Sequence, residues 1–134
     1  MLKKLDHIGI AVKDLEKALM LYEYLYGLKA GPVEVHKEYR VKLAFLPIGE
    51  TRIELLEGLD EESPITKFIA KRGEGVHHLT FEVEDLEKAL EILAGKGIEL
   101  IDKAPRTGAH GDRVAFLHPK STGGVLVELC EKPL

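Results

Sequence analysis

The sequence contains no asparagine and no glutamine. Both amides deamidate in heat, and their absence beside abundant Lys and Glu is the composition of a heat-adapted protein. A hot source is therefore expected, which bears on stability and not on function. Cysteine is nearly absent as well. Cys130 is the only one, so no disulfide can close within the chain. No apolar run reaches the roughly 20 residues a membrane helix needs. The start, MLKKLDHIGI, lacks the apolar region and small-residue cleavage site of a signal peptide. A cytoplasmic location with no membrane partner is expected. Positive charge is not concentrated anywhere. The 19 Lys and Arg stand against 23 Asp and Glu, a net charge of −4, and no basic stripe marks a nucleic-acid partner.

What the chain does contain is a repeat. KLDHIGIAVKDLEKAL begins at Lys4, and GVHHLTFEVEDLEKAL begins at Gly75. DLEKAL recurs unchanged 71 residues later, and His7 and His78 are separated by the same 71. With 134 residues, 45 % of them hydrophobic, the chain can bury the core of one compact domain or of two fused half-domains.

The first copy alternates over residues 5–12 and reads as a strand. Asp14 is a helix N-cap type, and Leu15, Ala18, Leu19, Tyr22 and Leu25 follow at helical spacing until Gly27. Strand-like runs come next near residues 29–35, 39–46 and 52–56. The second copy repeats this order. A strand over 76–83 precedes a helix face of Leu86, Ala89, Leu90 and Leu93, ended by Gly95 and Gly97. Strands near 98–101, 113–117 and 125–129 complete it. Between the copies, Ser63-Pro64 reads as an N-cap with proline in the first helical turn, opening a short helix to about Lys71. The expected fold is α+β. Two tandem βαβββ modules, about 3–57 and 75–131 with a linker helix at 63–72, form a single domain over 1–134. Its mixed eight-stranded sheet is curved like a cup, with helices outside.

Strand alternation then assigns faces. His7, Gly9 and Ala11 share one, and His78, Thr80 and Glu82 share its counterpart. The large apolar residues take the other face and meet the helices. His78, not His77, matches His7 in register, which leaves His77 a structural role. The last strands read TRIELLE and VLVELCE, aligning Glu54 with Glu128. A carboxylate inside an apolar strand carries a desolvation cost unless something positive offsets it. A lone strand His or Glu is usually structural or exposed. The same two types at matching places in both halves point instead to a shared cation. His7, Glu54, His78 and Glu128 thus make a four-ligand divalent site, whose imidazole and carboxylate donors suit Zn, Mn, Fe, Co or Ni. His36, His110 and His118 have no mate in the repeat and read as loop or surface histidines.

The stretches DHIGIAVKDLEKAL, FLPIGETRIELLE, SPITKFIAKRGEGVHHLTFEVED and GAHGDRVAFLHPKSTGGVLVEL cover most of the chain. They resemble the vicinal oxygen chelate superfamily (glyoxalase, bleomycin resistance, dioxygenase) and, within it, the methylmalonyl-CoA epimerases. HPKSTGGVLVEL carries the most specific likeness. The resemblance implies a metal-dependent isomerase, a homodimer, that interconverts (R)- and (S)-methylmalonyl-CoA by proton transfer through an enolate. It implies His7, Glu54, His78 and Glu128 as metal ligands, cobalt as the metal ahead of Mn, Ni, Fe or Zn, and Glu128 as one acid/base. Some relatives carry a second catalytic glutamate where this chain has Leu43, and Glu38 is the substitute. Lys120 and Arg106 are candidates, by charge, for the CoA phosphates. The alternatives are a glyoxalase I-type lyase and a metal-free small-molecule binding protein of the same fold. An extradiol dioxygenase would need only two His and one carboxylate, and Glu54 is one ligand too many.

Overall fold

The computed structural model describes residues 1–108 and 110–134. Ala109, in the GAHG stretch, lies outside the described residues. The elements are β1 (Leu2–Ala11), α1 (Leu15–Tyr26), β2 (Glu34–His36), β3 (Val41–Ile48), β4 (Thr51–Gly58), α2 (Pro64–Arg72), β5 (Gly75–Val83), α3 (Leu86–Gly95), β6 (Arg106–Thr107), β7 (Arg113–Leu117) and β8 (Val127–Glu131). Short 3-10 turns occupy Lys37–Tyr39 and Pro119–Ser121. Each copy of the repeat thus folds in the expected order of strand, helix and three strands. The strand order is β2-β3-β4-β1-β5-β8-β7-β6, an α+β fold with a mixed sheet. β1 runs parallel to β4, β5 runs parallel to β8, and the remaining paired strands of each copy are antiparallel. Among the described residues, no helix is long and apolar enough to cross a membrane.

The chain clusters into two compact units, His7–His77 and Met1–Asp6 with His78–Leu134. In the first, Ile10, Val12, Ile53, Leu55 and Leu46 meet Leu15, Ala18, Leu19 and Tyr22 of α1. In the second, Phe81, Val83, Ala115, Leu117, Val127 and Leu129 meet Leu86, Ala89, Leu90 and Leu93 of α3. These are the faces assigned to the helices by alternation. The linker helix α2 meets the opposite face of its unit. Its Ile65, Phe68 and Ile69 pack with Ala11, Val41, Leu43, Phe45 and Leu56.

The repeated DLEKAL works as a helix start twice. Asp14 accepts from the Lys17 N–H and Asp85 from the Lys88 N–H, each at 3.1 Å. A second device doubles it. Glu57 at the end of β4 accepts from the Leu15 N–H, and Glu131 at the end of β8 accepts from the Leu86 N–H, each at 2.7 Å. Each module thereby fastens the positive end of its helix to its own last strand. Ser63 and Pro64 open α2 as expected, with the Ser63 hydroxyl accepting from the Ile65 N–H.

Two strands depart from the sequence reading. The run at 29–35 pairs only over Glu34–His36. Pro32 has no N–H to give a ladder, and upstream of β2 only Gly31 reaches β3, donating to the Phe45 carbonyl at 2.9 Å. The run at 98–101 is no strand. Gly97 takes a left-handed φ of 82° and the Ile98 N–H turns back to the Leu93 carbonyl. A lone bridge joins Leu100 to Leu117, and the edge strand forms later, at Arg106–Thr107.

Candidate metal centre

In the unit His7–His77, His7 and Glu54 sit on the neighbouring strands β1 and β4. Both are buried, at 8 % and 6 % exposure. His7 Nε2 lies 3.4 Å from Glu54 Oε1. Two donors bonded at about 2.1 Å to one ion stand about 3.0–3.4 Å apart at octahedral to tetrahedral angles. The pair therefore fits a shared divalent cation. Phe45, on β3, is the ladder partner of Glu54 and sets its ring edge-on to His7, with centroids 5.5 Å apart. That contact fixes the imidazole's tilt, as outer contacts of metal-binding histidines do.

The other unit repeats the arrangement. His78 is buried on β5. Phe116 on β7 is the ladder partner of Glu128 on β8, and its ring stands edge-on to His78 at 6.3 Å. In the parallel ladders Gly9 faces Glu54 and Thr80 faces Glu128. Gly9 and Thr80 are 71 residues apart, so the ladders make Glu54 and Glu128 structural equivalents despite their 74-residue spacing. The two phenylalanines escaped the sequence reading. Their signal was present: AFL at 44–46 recurs at 115–117, again 71 residues on.

The halves differ at Gly9 and Thr80. The Thr80 hydroxyl, fully buried, donates to Glu128 Oε1 at 2.8 Å. Glycine offers Glu54 no such donor. One carboxylate is thus held by a hydroxyl that the other lacks.

The remaining candidates fall as follows. Glu38 lies in the turn between β2 and β3, its side chain 65 % exposed and 3.8 Å from His36 Nδ1. His36 Nε2 meets Glu34 Oε1 at 3.0 Å. Leu43 is buried in the cluster that includes Phe45 and α2, and Glu34 is its ladder partner on β2. Arg106 on β6 has its Nε 3.3 Å from Asp102 Oδ1 and its guanidinium 5.5 Å over the Phe116 ring. Lys120 is exposed, 4.0 Å from Glu99. His77 sets its ring edge-on to Phe68 of α2 at 4.9 Å. Cys130 is buried beside strand β7. Burial, with Asp6 nearby, pushes its thiol up to about 12, which keeps it protonated and unreactive.

The model of the Glyoxalase/Bleomycin resistance protein/Dioxygenase superfamily matches residues 6–116. A mitochondrial methylmalonyl-CoA epimerase of Dictyostelium discoideum is 40 % identical over 130 residues, 96 % of this chain and 78 % of its own. An ethylmalonyl-CoA/methylmalonyl-CoA epimerase of Cereibacter sphaeroides is 40 % identical over 131 residues, 96 % of this chain and 98 % of its own. A solved structure of a Streptomyces coelicolor methylmalonyl-CoA epimerase variant, in complex with 2-nitronate-propionyl-CoA, matches with a TM-score of 0.92 at 38 % identity. It covers 98 % of this chain and 96 % of that one. By the family model and by these near-full-length likenesses, the chain belongs to the glyoxalase/bleomycin resistance protein/dioxygenase superfamily and groups with its methylmalonyl-CoA epimerases.

Proposed function

We propose that this protein is a methylmalonyl-CoA epimerase, an isomerase that inverts the carbon between the thioester and the free carboxylate. The observation that carries the reading is the duplicated His/Glu set, equivalent in ladder position, within a chain about as similar to named epimerases as they are long. His7, Glu54, His78 and Glu128 are assigned as ligands of one divalent cation. The buried His7–Glu54 pair supports this, as does the adjacency of β1 and β5 in the strand order. Cobalt is the first choice by family likeness. A cytoplasmic homodimer acting as a single domain completes the assignment, and the one buried cysteine suits a reducing compartment.

The reaction needs a proton removed on one face and returned on the other. When bound, the cation offsets the negative charge that develops on the substrate's thioester oxygen. Glu128 takes the α-proton on one face. Thr80 fixes its Oε1, which limits the directions from which the carboxylate can reach the substrate. Glu38 is assigned the opposite face, near enough to His36 for the two to share a proton. Arg106 and Lys120 are assigned to the CoA phosphates.

Proton NMR of methylmalonyl-CoA in D₂O tests the function. With enzyme and metal, the α-proton signal should disappear and the methyl doublet collapse, for both epimers. A chelator should stop the exchange. No exchange at any metal would leave the protein a binding module of the same fold.

A further inference from the structure

The structure assigns to Arg52 a role that the His/Glu pattern does not cover: holding the free carboxylate of the acyl-CoA substrate. This inference rests on the epimerase reading. Arg52 lies on β4 two residues before Glu54, so both side chains project from the same face of the strand. In the parallel ladder its Cα partner is His7 itself. Its guanidinium sits over the Phe45 ring, 3.9 Å from the centroid. That ring also stands against His7. One aromatic side chain therefore seats both the imidazole and the guanidinium. Stacking of this kind fixes the plane of the planar cation and leaves its N–H edge to face a ligand.

Charge gives the reason for a cation there. With Glu54 and Glu128 both ionised, a divalent ion makes the four-ligand set formally neutral. The substrate then brings a carboxylate of its own. Removing the neighbouring proton adds a second negative charge to the same small group. None of the four ligands offsets the first. A guanidinium fork does so in the geometry a carboxylate prefers, and it stays charged at every working pH. The second half has its own guanidinium over the equivalent phenylalanine, that of Arg106 over Phe116. It comes from the edge strand, at a longer distance, and has Asp102 alongside. Arg52 is the more closely seated of the two.

The test is a comparison of two ligands that differ only by the carboxylate, methylmalonyl-CoA and propionyl-CoA. Their dissociation constants are measured by calorimetry on full-length, metal-loaded protein, and bound metal is quantified for every variant. Wild type should favour methylmalonyl-CoA. Arg52→Met should erode that preference by roughly 10–100-fold, the worth of a charge-assisted pair, with metal content unchanged. Arg52→Lys should restore part of it. Arg52→Gln, closer in polarity, serves if the Met variant does not fold. An unchanged preference in the folded variants overturns the assignment. So does a preference lost only in proportion to lost metal, because Arg52 would then merely support His7. If wild type binds neither ligand, the epimerase reading itself has failed and the role of Arg52 falls with it.

Discussion

A single hydroxyl separates the two halves of the candidate centre. Thr80 donates to Glu128 where Gly9 leaves Glu54 without the counterpart. A carboxylate that must act as a base gains from a fixed orientation, while one that only ligates does not. Thr80→Val keeps the volume and removes the donor. It should cost roughly 10–100-fold in metal affinity or turnover, as losses around metal ligands do, measured by metal titration and by α-proton exchange. A wild-type result for both would show the hydroxyl to be structural. The two adjacent histidines give the sharpest contrast. His78→Ala should lose most bound metal, whereas His77→Ala should keep it, because His77 is engaged with Phe68 of α2. The reverse pattern would break the strand register on which the assignment stands. His7, His78, Glu54 and Glu128 were legible because residue type and spacing both recur. Arg52 was not, since nothing at its equivalent, Leu126, repeats it. Its meaning comes from the Phe45 ring beneath it, a contact that spacing does not encode.

At the scale of elements, the module is built around the join between its helix and its last strand. The two glutamates of ELLE and ELCE divide the labour. The first faces the candidate centre, and the second caps the helix. Glu57→Ala and Glu131→Ala should each destabilise the fold by about 1 kcal/mol, the usual worth of a cap with its dipole interaction. Denaturant melts would show this as a lower midpoint with an unchanged slope. No change in midpoint would mean that water replaces the carboxylate fully. Helices and long strands were legible in the sequence because their periodicity is strong and their caps are explicit. The short edge strands were not. β2 and β6 have three and two residues, too few for a period, and their places are set by Pro32 and by the turn at Gly97.

For the whole molecule, duplication explains why the sequence disclosed so much of the fold. Every landmark found in one half could be checked against the other, so a chance match seldom survived. What one half holds alone was harder to read. Glu34, His36 and Glu38 have no such mates, and Leu43 stands where some relatives carry a base. Their roles depend on chemistry with substrate, which no repeat encodes. Metal should also matter to the stability of the fold. A ligand that binds only the folded state, at 100 times its dissociation constant, adds about 2.7 kcal/mol. At this chain length that raises the melting temperature by roughly 5–15 °C. Calorimetry with cobalt and then with a chelator should show the rise and its reversal, and His78→Ala should abolish it.

The central claim is that the two half-sites hold one cation between them. Metal titration of the purified, chelator-stripped chain, read by calorimetry and elemental analysis, tests it most directly. The account predicts one tightly bound divalent ion per chain, lost when either His7 or His78 is replaced by Ala. Two independent ions per chain, or full binding that survives the loss of either histidine, would contradict it.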